Sequence, residues 1–364
     1  MPGVPHAKDI MAAVERLAPS ALAEAWDNSG LQVGDPAAGV SRVLVALTPL
    51  PEVFEEAEET GADFLLLHHP LIFSPLKSVD TGSYPGELLA RAISGNFTVY
   101  AAHTSYDAAP EGVSAALAAA AAVGLSGPLE VVSPRGTLRK LVVFVPTAEA
   151  EAVAEALAGA GAGRIGDYTR CTFRSPGTGT FLPGEGSDPY LGERGRLERV
   201  DEVRLETVVP AHLARAAVDA AVAAHPYEEV ALDVYPVEGV PEGCGYGRVG
   251  TLPDPLSPEE LVTRVSRSLG FPARLVSEGN RQSIQRVAVL GGSGGSFIPE
   301  VAASGADAYV TGDLDYHDAL LAESLGLVAV DAGHAAMELP SLEPLARRLA
   351  ELVDVPVGVS RVRR

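Results

Sequence analysis

The sequence predicts an α/β fold in which a mostly parallel sheet is flanked by helices and split by an inserted α+β domain. Two observations predict it. Short apolar strands alternate with helical stretches in residues 1–130 and again in residues 241–364, whereas residues 131–240 have a different pattern. Short apolar strands separated by helices are typical of a parallel sheet covered on both faces. A chain of 364 residues is long enough for two or three sizeable cores.

The first half, residues 1–130, alternates helices and strands. Ile10, Met11, Val14 and Leu17 have helical spacing, which predicts a helix over residues 8–18. The further predicted elements of this half are strands over residues 43–47, 64–67 and 97–102 and helices over residues 51–59, 86–94 and 112–123.

Residues 131–240 predict an inserted domain with a βαββαβ-like pattern, close to a split βαβ or ferredoxin-like unit. Residues 172–196 are rich in Gly, Pro, Ser and Thr, and this composition predicts a long loop. The other predicted elements are strands over residues 141–145, 203–209 and 230–236 and helices over residues 148–158 and 211–224.

The second half, residues 241–364, resumes the first pattern. It is predicted to complete the α/β domain that the insertion interrupts. Its predicted elements are helices over residues 258–269 and 342–352 and strands over residues 286–290, 308–310 and 327–330.

The charge and the cysteine content limit the partners and the compartment. The formal net charge is -21, and an acidic surface repels phosphate backbones, so we expect no general nucleic-acid binding. Cys171 and Cys244 have no CxxC spacing, which fits a reducing compartment. No signal-peptide core and no apolar span of about 20 residues is present. We therefore expect a cytoplasmic protein, without membrane contact, that binds a small-molecule substrate or ligand.

Histidines and carboxylates collect directly after the predicted core strands. In open α/β sheets, ligands bind beyond the carboxyl ends of the strands, so these side chains are expected at one edge. The residues concerned are His68 and His69 after residues 64–67, His103 and Asp107 after residues 97–102, Asp313 and His317 after residues 308–310, and His334 and Glu338 after residues 327–330.

Five of these residues are the candidate metal ligands: His68, His69, Asp107, His334 and Glu338. Adjacent strand residues point to opposite faces, so the His-His pair favours two ions, one for each imidazole. His334 and Glu338 have the i, i+4 spacing that shares a helix face. Each piece alone has an ordinary structural explanation, such as a solvated pair or a helix cap. Together, three imidazoles and two carboxylates suit two divalent ions of zinc, manganese, iron or cobalt.

Other polar segments leave alternatives open. His103, Asp313 and His317 either orient the ligands, act as acid or base, or are simply hydrogen-bonded at strand ends. The Gly-rich run of residues 291–296 is either an anion cradle or a plain loop. The segment of residues 26–34, which contains the only Trp, either lines a pocket or forms a tight turn.

The sequence resembles the NIF-three-like dinuclear metal-centre family, whose members are often named GTP cyclohydrolase I type 2. The resemblance is carried, in order along the chain, by WDNSGLQVG at residues 26–34, HHPLIF at residues 68–73, HTSYD at residues 103–107, TGDLDYHD at residues 311–318 and GHAAME at residues 333–338. It implies that His68 and Asp107 hold one ion, that His69 and His334 hold the other, and that Glu338 bridges both.

The resemblance also implies an assembly and an inserted domain. Members form a toroidal homohexamer, a trimer of dimers, and some longer members contain a P-II/CutA-like domain that residues 225–229 match. This sequence departs from the family pattern at Thr48, where Asp is usual, and at Ser105 and Tyr106. None of these three positions is an implied ligand.

The predicted function is a dinuclear metal-dependent hydrolase that acts on a nucleotide or similar small molecule. The specific form of this hypothesis is an activity like that of GTP cyclohydrolase type 2. A phosphodiesterase, phosphatase or peptidase using the same centre is an alternative. A third is a non-catalytic scaffold or sensor whose insert binds a small ligand. Neither cysteine sits beside a His, so a metal-activated water is expected as nucleophile, with His103 or His317 as acid or base.

Overall fold

The structure is a computed structural model that describes residues 4–119, 125–134, 138–165, 168–237 and 243–363. Contacts divide the chain into two compact units. The main unit comprises residues 1–135 and 243–364, and the inserted unit comprises residues 136–242. Residues 131–134, which the sequence pattern predicts to be part of the insert, lie in a strand of the main unit, and the predicted boundary at residue 240 falls outside the described residues.

The strands are numbered in chain order. They are β1 Gly30–Val33, β2 Val43–Ala46, β3 Phe64–Leu67, β4 Thr98–Ala101, β5 Ser126–Pro134, β6 Leu138–Pro146, β7 Thr172–Phe181, β8 Glu198–Pro210, β9 Leu232–Pro236, β10 Gly245–Leu256, β11 Arg274–Ser277, β12 Ile284–Ser293, β13 Ala308–Gly312, β14 Val328–Asp331 and β15 Val357–Val359.

The α-helices are numbered in the same way. They are α1 Ala7–Leu17, α2 Pro51–Thr60, α3 Gly86–Ser94, α4 Thr104–Asp107, α5 Val113–Ala119, α6 Ala150–Gly159, α7 Ala214–Ala224, α8 Pro258–Leu269, α9 Ile298–Ala303, α10 Tyr316–Ser324, α11 His334–Glu338 and α12 Leu342–Ala350. The helices and strands predicted for the main unit are confirmed, except that residues 120–123 of the predicted helix 112–123 lie outside the described residues.

The main unit contains two sheets, so the prediction of one mostly parallel sheet is wrong. The first sheet has the order β1-β4-β3-β2-β15 and is parallel except for β1. The second has the order β11-β14-β13-β12-β10-β5 and is parallel only among β12, β13 and β14. The α/β architecture itself, with strands and helices mixed along the chain, is confirmed.

The pattern of burial explains why two sheets look like one in the sequence. Val43 and Val45 of β2 share a buried cluster with Val287 and Val289 of β12, so one face of each sheet contributes to a common core. The alternate residues of β2 and β12 enter two other buried clusters on the opposite faces. Because both faces are covered, each strand is a continuous apolar run, and the sequence does not reveal which sheet it joins.

The inserted unit has the element order β6-α6-β7-β8-α7-β9 and one antiparallel sheet with the strand order β7-β8-β6-β9. Its core lies on one face of this sheet, where Leu141, Val143 and Leu205 pack with Val153 of α6 and Ala217 of α7. The predicted strands and helices of this region are present within one or a few residues of the expected bounds.

The predicted loop over residues 172–196 is wrong in its first part, because Thr172–Phe181 is strand β7. This strand pairs antiparallel with β8 from Thr172 opposite Thr207 to Phe181 opposite Glu198. It is an edge strand and mostly exposed, so it lacks an apolar alternation. An edge strand also tolerates Pro176 and glycines that would weaken a central strand. The Gly, Pro, Ser and Thr content of this strand therefore led to the wrong prediction of a loop.

Within the part of the chain that the structure describes, no helix combines the length and the apolar character needed to cross a membrane.

Arg248 of β10 fixes the backbone that follows Asp107. Its buried guanidinium donates to the carbonyl oxygens of Ala109 and Pro110 at 3.1 and 2.9 Å and to those of Gly243, Gly245 and Gly247 at 2.8–3.1 Å. Buried carbonyl groups that lose a charged donor are costly. Arg248 thus ties the turn after α4 to the start of β10.

Arg248→Met should lower the free energy of unfolding by about 3 kcal/mol, because it leaves buried carbonyl oxygens without a donor. Chemical denaturation monitored by circular dichroism measures this change. The control is Arg267→Met on the exposed side of α8, which should change the free energy by no more than about 0.5 kcal/mol. Equal effects of the two substitutions would contradict the proposed stabilising role of Arg248.

The inserted unit should be removable without loss of the main unit. The chain leaves the main unit after Pro134 and returns before Gly245, and these two residues are paired neighbours on β5 and β10. Paired residues of antiparallel strands have Cα atoms about 5 Å apart, so a short Gly/Ser linker can replace residues 136–242. Circular dichroism and a single cooperative unfolding transition are the measurements.

A matched deletion tests the same point. Removing residues 136–250 also takes the first half of β10, which pairs with both β5 and β12, and this chain should not fold. Failure of the shorter deletion to fold with several linker lengths would mean that the inserted unit is integral to the fold.

Candidate metal centre

Strand ends of both sheets in the main unit bring the five candidate ligands together. His68 and His69 directly follow β3, and Asp107 ends the short helix α4 that follows β4. His334 and Glu338 are the first and last residues of α11, which follows β14 of the second sheet. The parallel strands thus deliver all five side chains from their carboxyl ends, as expected for an α/β fold.

Glu338 is the centre of the cluster. Its Oε1 lies 3.1 Å from His334 Nε2 and 3.4 Å from His68 Nε2, and its Oε2 lies 3.1 Å from His69 Nε2. Asp107 Oδ1 lies 3.7 Å from His68 Nε2. One carboxylate therefore contacts three imidazoles, two through one oxygen and one through the other.

Several polar atoms of this cluster are buried without a hydrogen bond. His68 and Glu338 are each only 2% exposed. His68 Nε2, Asp107 Oδ1 and Glu338 Oε2 have no hydrogen-bond partner, although Glu338 Oε2 lies close to His69. Buried polar atoms without partners are costly and uncommon. Imidazole nitrogens and carboxylate oxygens at such distances fit divalent metal ions, which would give each of these atoms a partner.

The protein orients each imidazole through its Nδ1 atom. His68 donates from Nδ1 to the carbonyl oxygen of Ala102 at 3.0 Å, and His334 donates from Nδ1 to Asp313 Oδ2 at 2.7 Å. His69 Nδ1 lies 3.1 Å from Thr48 Oγ1. The Nε2 atoms are thereby left for the centre of the cluster, the arrangement typical of metal-binding histidines. Thr48, which departs from the family pattern, still provides an oxygen partner for His69.

The carboxylates of the cluster stabilise positive charge on the neighbouring imidazoles. Burial alone would lower the pKa of His68, but the Glu338 and Asp107 carboxylates outweigh it and raise this pKa to about 9. The hydrogen bond with Glu338 outweighs burial and raises the pKa of His334 to about 9. Burial opposes ionisation of Glu338, but His68 and His334 hold the pKa of its carboxyl well below the usual range. The buried carboxylate therefore attracts cations.

The two remaining ligands titrate differently. Burial, only partly offset by the charge of His68, raises the pKa of Asp107 to about 6. Burial lowers the pKa of His69, so its imidazole is neutral and available as a ligand at neutral pH. His68 and His334 would have to release a proton before they bind a metal ion.

The ligand atoms form groups that could each hold an ion. His68, Asp107 and Glu338 form one group, and His69, His334 and Glu338 form a second, with all atoms of a group within 4.8 Å of one another. Glu338 belongs to both groups. This is the division that the family resemblance implied. A further group joins His103 to His68 and His69.

His103 is held by the buried side chain of Asp27, which is not among the site residues predicted from the sequence. Its Nδ1 lies 2.7 Å from Asp27 Oδ1, and Asp27 also accepts from Thr104 Oγ1 at 2.6 Å and Ser29 Oγ at 2.7 Å. Burial alone would raise the pKa of Asp27, but these hydrogen bonds outweigh it and lower the pKa. Asp27 is thus an anion that accepts a proton-bearing Nδ1. The polar run after Trp26 was the only signal in the sequence.

Asp313 and His317 have different surroundings. Asp313 orients His334, which is one of the alternatives that the sequence left open. His317 lies at the start of α10, where its exposed ring contacts Tyr316. Among the described residues, His317 belongs neither to a group of potential ligands nor to the lining of the neighbouring cavity.

The cluster of candidate ligands opens into a cavity of about 620 Å³ within the main unit. His69, His103, His334 and Glu338 are part of its lining. The exposed rings of Trp26 and Phe73 lie 6.0 Å apart beside it, and each is about 6 Å from the His103 ring, at 6.1 and 6.3 Å.

The Gly-rich run forms part of this lining. Gly291, Gly292, Ser293 and Ser296 border the cavity. Gly292 has a φ of +68°, and a Cβ atom there would lie 2.6 Å from Glu338 Oε1. Any larger residue at this position would therefore press on the central carboxylate. The run approaches the cluster because it has no side chains there.

The departures Ser105 and Tyr106 lie in the helix α4 that carries Asp107. The Tyr106 hydroxyl donates to the carbonyl oxygen of Ser341 at 3.1 Å, and its ring lies 6.5 Å from the His68 ring. Ser105 Oγ lies 3.4 Å from Ser29 Oγ. Both residues are buried and support the ligand-bearing backbone.

Sequence relatives cover almost the whole chain. A Bacillus subtilis protein named GTP cyclohydrolase 1 type 2 homolog is 41% identical over 359 residues, which are 98% of this chain and 95% of the relative. A Mycobacterium tuberculosis protein of the same name is 40% identical over 338 residues, which are 91% of this chain and 88% of the relative.

Two solved structures are also similar to almost the whole chain. A Bacillus cereus protein described as related to NIF3 is 42% identical and superimposes with a TM-score of 0.83 over 99% of this chain and 98% of that protein. A Staphylococcus aureus protein is 28% identical, with a TM-score of 0.77 over 98% of this chain and 97% of that protein.

A family model covers nearly every residue. The model described as Duf34/NIF3 (NGG1p interacting factor 3) matches residues 5–364. The match includes both parts of the main unit and the inserted unit between them. The chain therefore belongs to the Duf34/NIF3 family.

Proposed function

We propose that this protein is a hydrolase that holds two divalent metal ions and acts on a nucleotide or similar small molecule. One observation carries the proposal. Glu338 is a buried carboxylate shared by two groups of potential ligands, and atoms of both groups are buried without hydrogen bonds. A carboxylate in this position suits a bridge between two ions.

The proposed ligands divide as the groups do. His68 and Asp107 would hold one ion, His69 and His334 the other, and Glu338 both. Mixed nitrogen and oxygen donors suit zinc, manganese, iron or cobalt. A pair of ions held by these residues would supply an activated water as nucleophile and Lewis-acid polarisation of the bond that is attacked.

His103 is the proposed acid or base. Because the Asp27 carboxylate accepts from Nδ1, the other ring nitrogen of His103 is free to take or give a proton in the cavity. A carboxylate that fixes the tautomer of an imidazole has the same role in hydrolases of other folds. We assign proton transfer to His103 and not to His317, because the His317 ring is exposed and outside the cavity lining.

The cavity supports a planar, phosphate-bearing substrate. The exposed rings of Trp26 and Phe73 offer surfaces on which a base can stack. The glycines at residues 291 and 292 expose backbone beside the ligands, where an anion can approach. With relatives named GTP cyclohydrolase 1 type 2 homolog, ring opening of GTP is the specific version of the proposal.

Two further parts of the proposal rest on the family resemblance, a homohexamer built as a trimer of dimers and a ferredoxin-like, P-II/CutA-like character of the inserted unit. The βαββαβ order of the inserted unit supports the second of these. A third part, a cytoplasmic location, rests on the spacing of the two cysteines.

A non-catalytic sensor is the second candidate. One observation favours it, since the inserted unit has a cavity of its own, of about 400 Å³. The absence of turnover with any substrate class, together with binding of a small ligand, would favour the sensor over the hydrolase.

The protein should bind about two divalent ions per chain, because the shared carboxylate joins two ligand groups. Glu338→Gln should lower the occupancy of both positions, since the amide neutralises the bridge. Elemental analysis after reloading with zinc or manganese and gel filtration measures this. The matched control is Glu343→Gln, an exposed residue of α12, which should retain both ions. Selective loss of one ion from Glu338→Gln would contradict bridging, and a metal content near zero in the parent protein would exclude the centre.

Asp27→Asn and His103→Gln should each lower kcat by about 10²-fold or more while both ions are retained, because each removes the proton-transfer pair. Steady-state kinetics and elemental analysis are the measurements. Asp35→Asn, an exposed aspartate in a turn, is the matched control and should leave kcat unchanged. Loss of metal from His103→Gln would instead make His103 a ligand, in agreement with its group with His68 and His69.

Turnover should appear when the metal-loaded protein is screened against GTP, phosphodiesters, phosphomonoesters and peptides. Trp26→Leu should raise KM for a nucleotide about tenfold, because base stacking contributes on the order of 1–3 kcal/mol. A substrate without an aromatic ring should be unaffected, which distinguishes a phosphatase or peptidase from a nucleotide hydrolase. Activity that survives complete chelation of metal would overturn the proposed mechanism.

A further inference from the structure

The inserted unit contains a second cavity that the proposed metal chemistry does not use. Its volume is about 400 Å³, and all its lining residues belong to the inserted unit. The walls come from the end of β7, from the segment that follows it, and from residues 227–229. In the sequence, residues 225–229 are distinguished only by their match to longer family members.

Aromatic rings form much of the cavity wall. Phe181, Tyr190 and Tyr227 all line it. The ring centroids of Phe181 and Tyr227 lie 5.9 Å apart, and those of Tyr190 and Tyr227 lie 6.3 Å apart. The planes are inclined at 62° and 52°, so the rings pack at an angle and do not stack on one another. Aromatic faces in such a group attract a cation within about 6 Å of a ring centroid.

The charge of the lining points to the same class of ligand. Glu202, Glu228 and Glu229 line the cavity, and among the described lining residues there is no Lys or Arg. Glu202 is 9% exposed, and its Oε1 accepts from the Tyr227 hydroxyl at 3.0 Å. An anion would be repelled by these carboxylates, and a neutral apolar ligand would cover them without compensation.

A metal ion does not suit this lining. Within the described ranges, the groups of side chains that could hold a metal ion contain none of the three glutamates. Their carboxylate oxygens do not converge as the ligands of a small hard ion must. The aromatic walls instead suit a larger cation with an apolar surface.

Hydrogen bonds around His225 hold the cavity in shape. His225 Nε2 donates to the carbonyl oxygen of Phe144 at 3.0 Å, and His225 Nδ1 accepts from the Tyr227 backbone N–H at 3.1 Å. The backbone N–H of Asp188 donates to Glu228 Oε1 at 2.8 Å, which ties the segment after β7 to residues 227–229. The cavity is therefore built before a ligand arrives, which reduces the entropic cost of binding.

We propose that this cavity binds a small organic cation, an alkylammonium or guanidinium compound, between the rings of Phe181, Tyr190 and Tyr227 and the carboxylate of Glu202. The ligand places its charge beside Glu202 and its apolar surface against the rings. This site is independent of the metal centre, and it gives the inserted unit a ligand of its own whether or not the main unit is a hydrolase.

Calorimetric titration of the full chain with matched pairs of compounds tests the proposal. One pair is choline and its neutral isostere dimethylbutanol, and the other is arginine and its neutral analogue citrulline. At least one cation should bind about tenfold or more tightly than its neutral partner. Equal affinities within both pairs, or no binding of either cation at about 10 mM, would overturn the proposal.

Substitutions locate the binding site. Tyr227→Leu and Glu202→Gln should each weaken binding of the preferred cation at least about tenfold. Tyr235→Leu, an exposed tyrosine on β9 outside the cavity lining, is the matched control and should bind with unchanged affinity. Tyr227→Phe retains the ring and loses only the hydrogen bond to Glu202, so it should bind with a smaller loss even if Tyr227→Leu does not fold. Unchanged binding by both Tyr227 variants and by Glu202→Gln would place the cation elsewhere and refute this site.

Discussion

The main unit depends on a buried carboxylate that must be compensated by charge. Glu338 is almost fully buried, and an isolated carboxylate in such surroundings is costly unless cations or hydrogen bonds accompany it. The compensating imidazoles come from two sheets, His68 and His69 after β3 of the first and His334 after β14 of the second. Because none of these side chains can satisfy Glu338 alone, the strand ends of the two sheets have to stay close to one another. The shared apolar core behind them, to which β2 and β12 both contribute, keeps them there.

The sequence contains clear information about which residues meet, and less about how. Histidine, aspartate and glutamate residues that follow buried strands predict that their side chains meet at one edge of a sheet. The structure brings together His68, His69, Asp107, His334 and Glu338. The alternation of strand side chains suggested that the adjacent histidines diverge, yet both Nε2 atoms contact Glu338 through its two oxygens.

Other features of the structure have no local signal in the sequence. Asp27 and His103 are 76 residues apart, and only the folded chain shows their contact. His103 and His317 look equivalent in the sequence, although only His103 lines the cavity. Likewise, doubly buried strands do not reveal two sheets, and the exposed edge strand β7 has the composition of a loop.

The way the protein holds its imidazoles limits what the centre can do. Nδ1 of His68, His69, His103 and His334 is in each case engaged by a protein oxygen, from Ala102, Thr48, Asp27 and Asp313 respectively. The rings are therefore fixed in orientation, and the Nε2 atoms of all four remain available to the ions and the substrate of the proposed centre. Three of these four oxygen partners lie outside the ligand-bearing segments. Substitutions far from the centre in sequence can thus alter its chemistry while the five ligands are retained.

The pairing of β5 with β10 joins residues separated by the whole inserted unit, and this has a consequence for folding. Closing a loop of about 110 residues is slower and entropically less favourable than closing a short one. The inserted unit, however, brings its own first and last strands together: β6 pairs with β9, and the backbone N–H of Val237 donates to the carbonyl oxygen of Leu138. Once this unit has folded, the loop between Pro134 and Gly245 is effectively about tenfold shorter, which lowers the closure cost by about 2 kcal/mol. The interruption of the main unit thus carries little entropic penalty, provided that the insertion folds first.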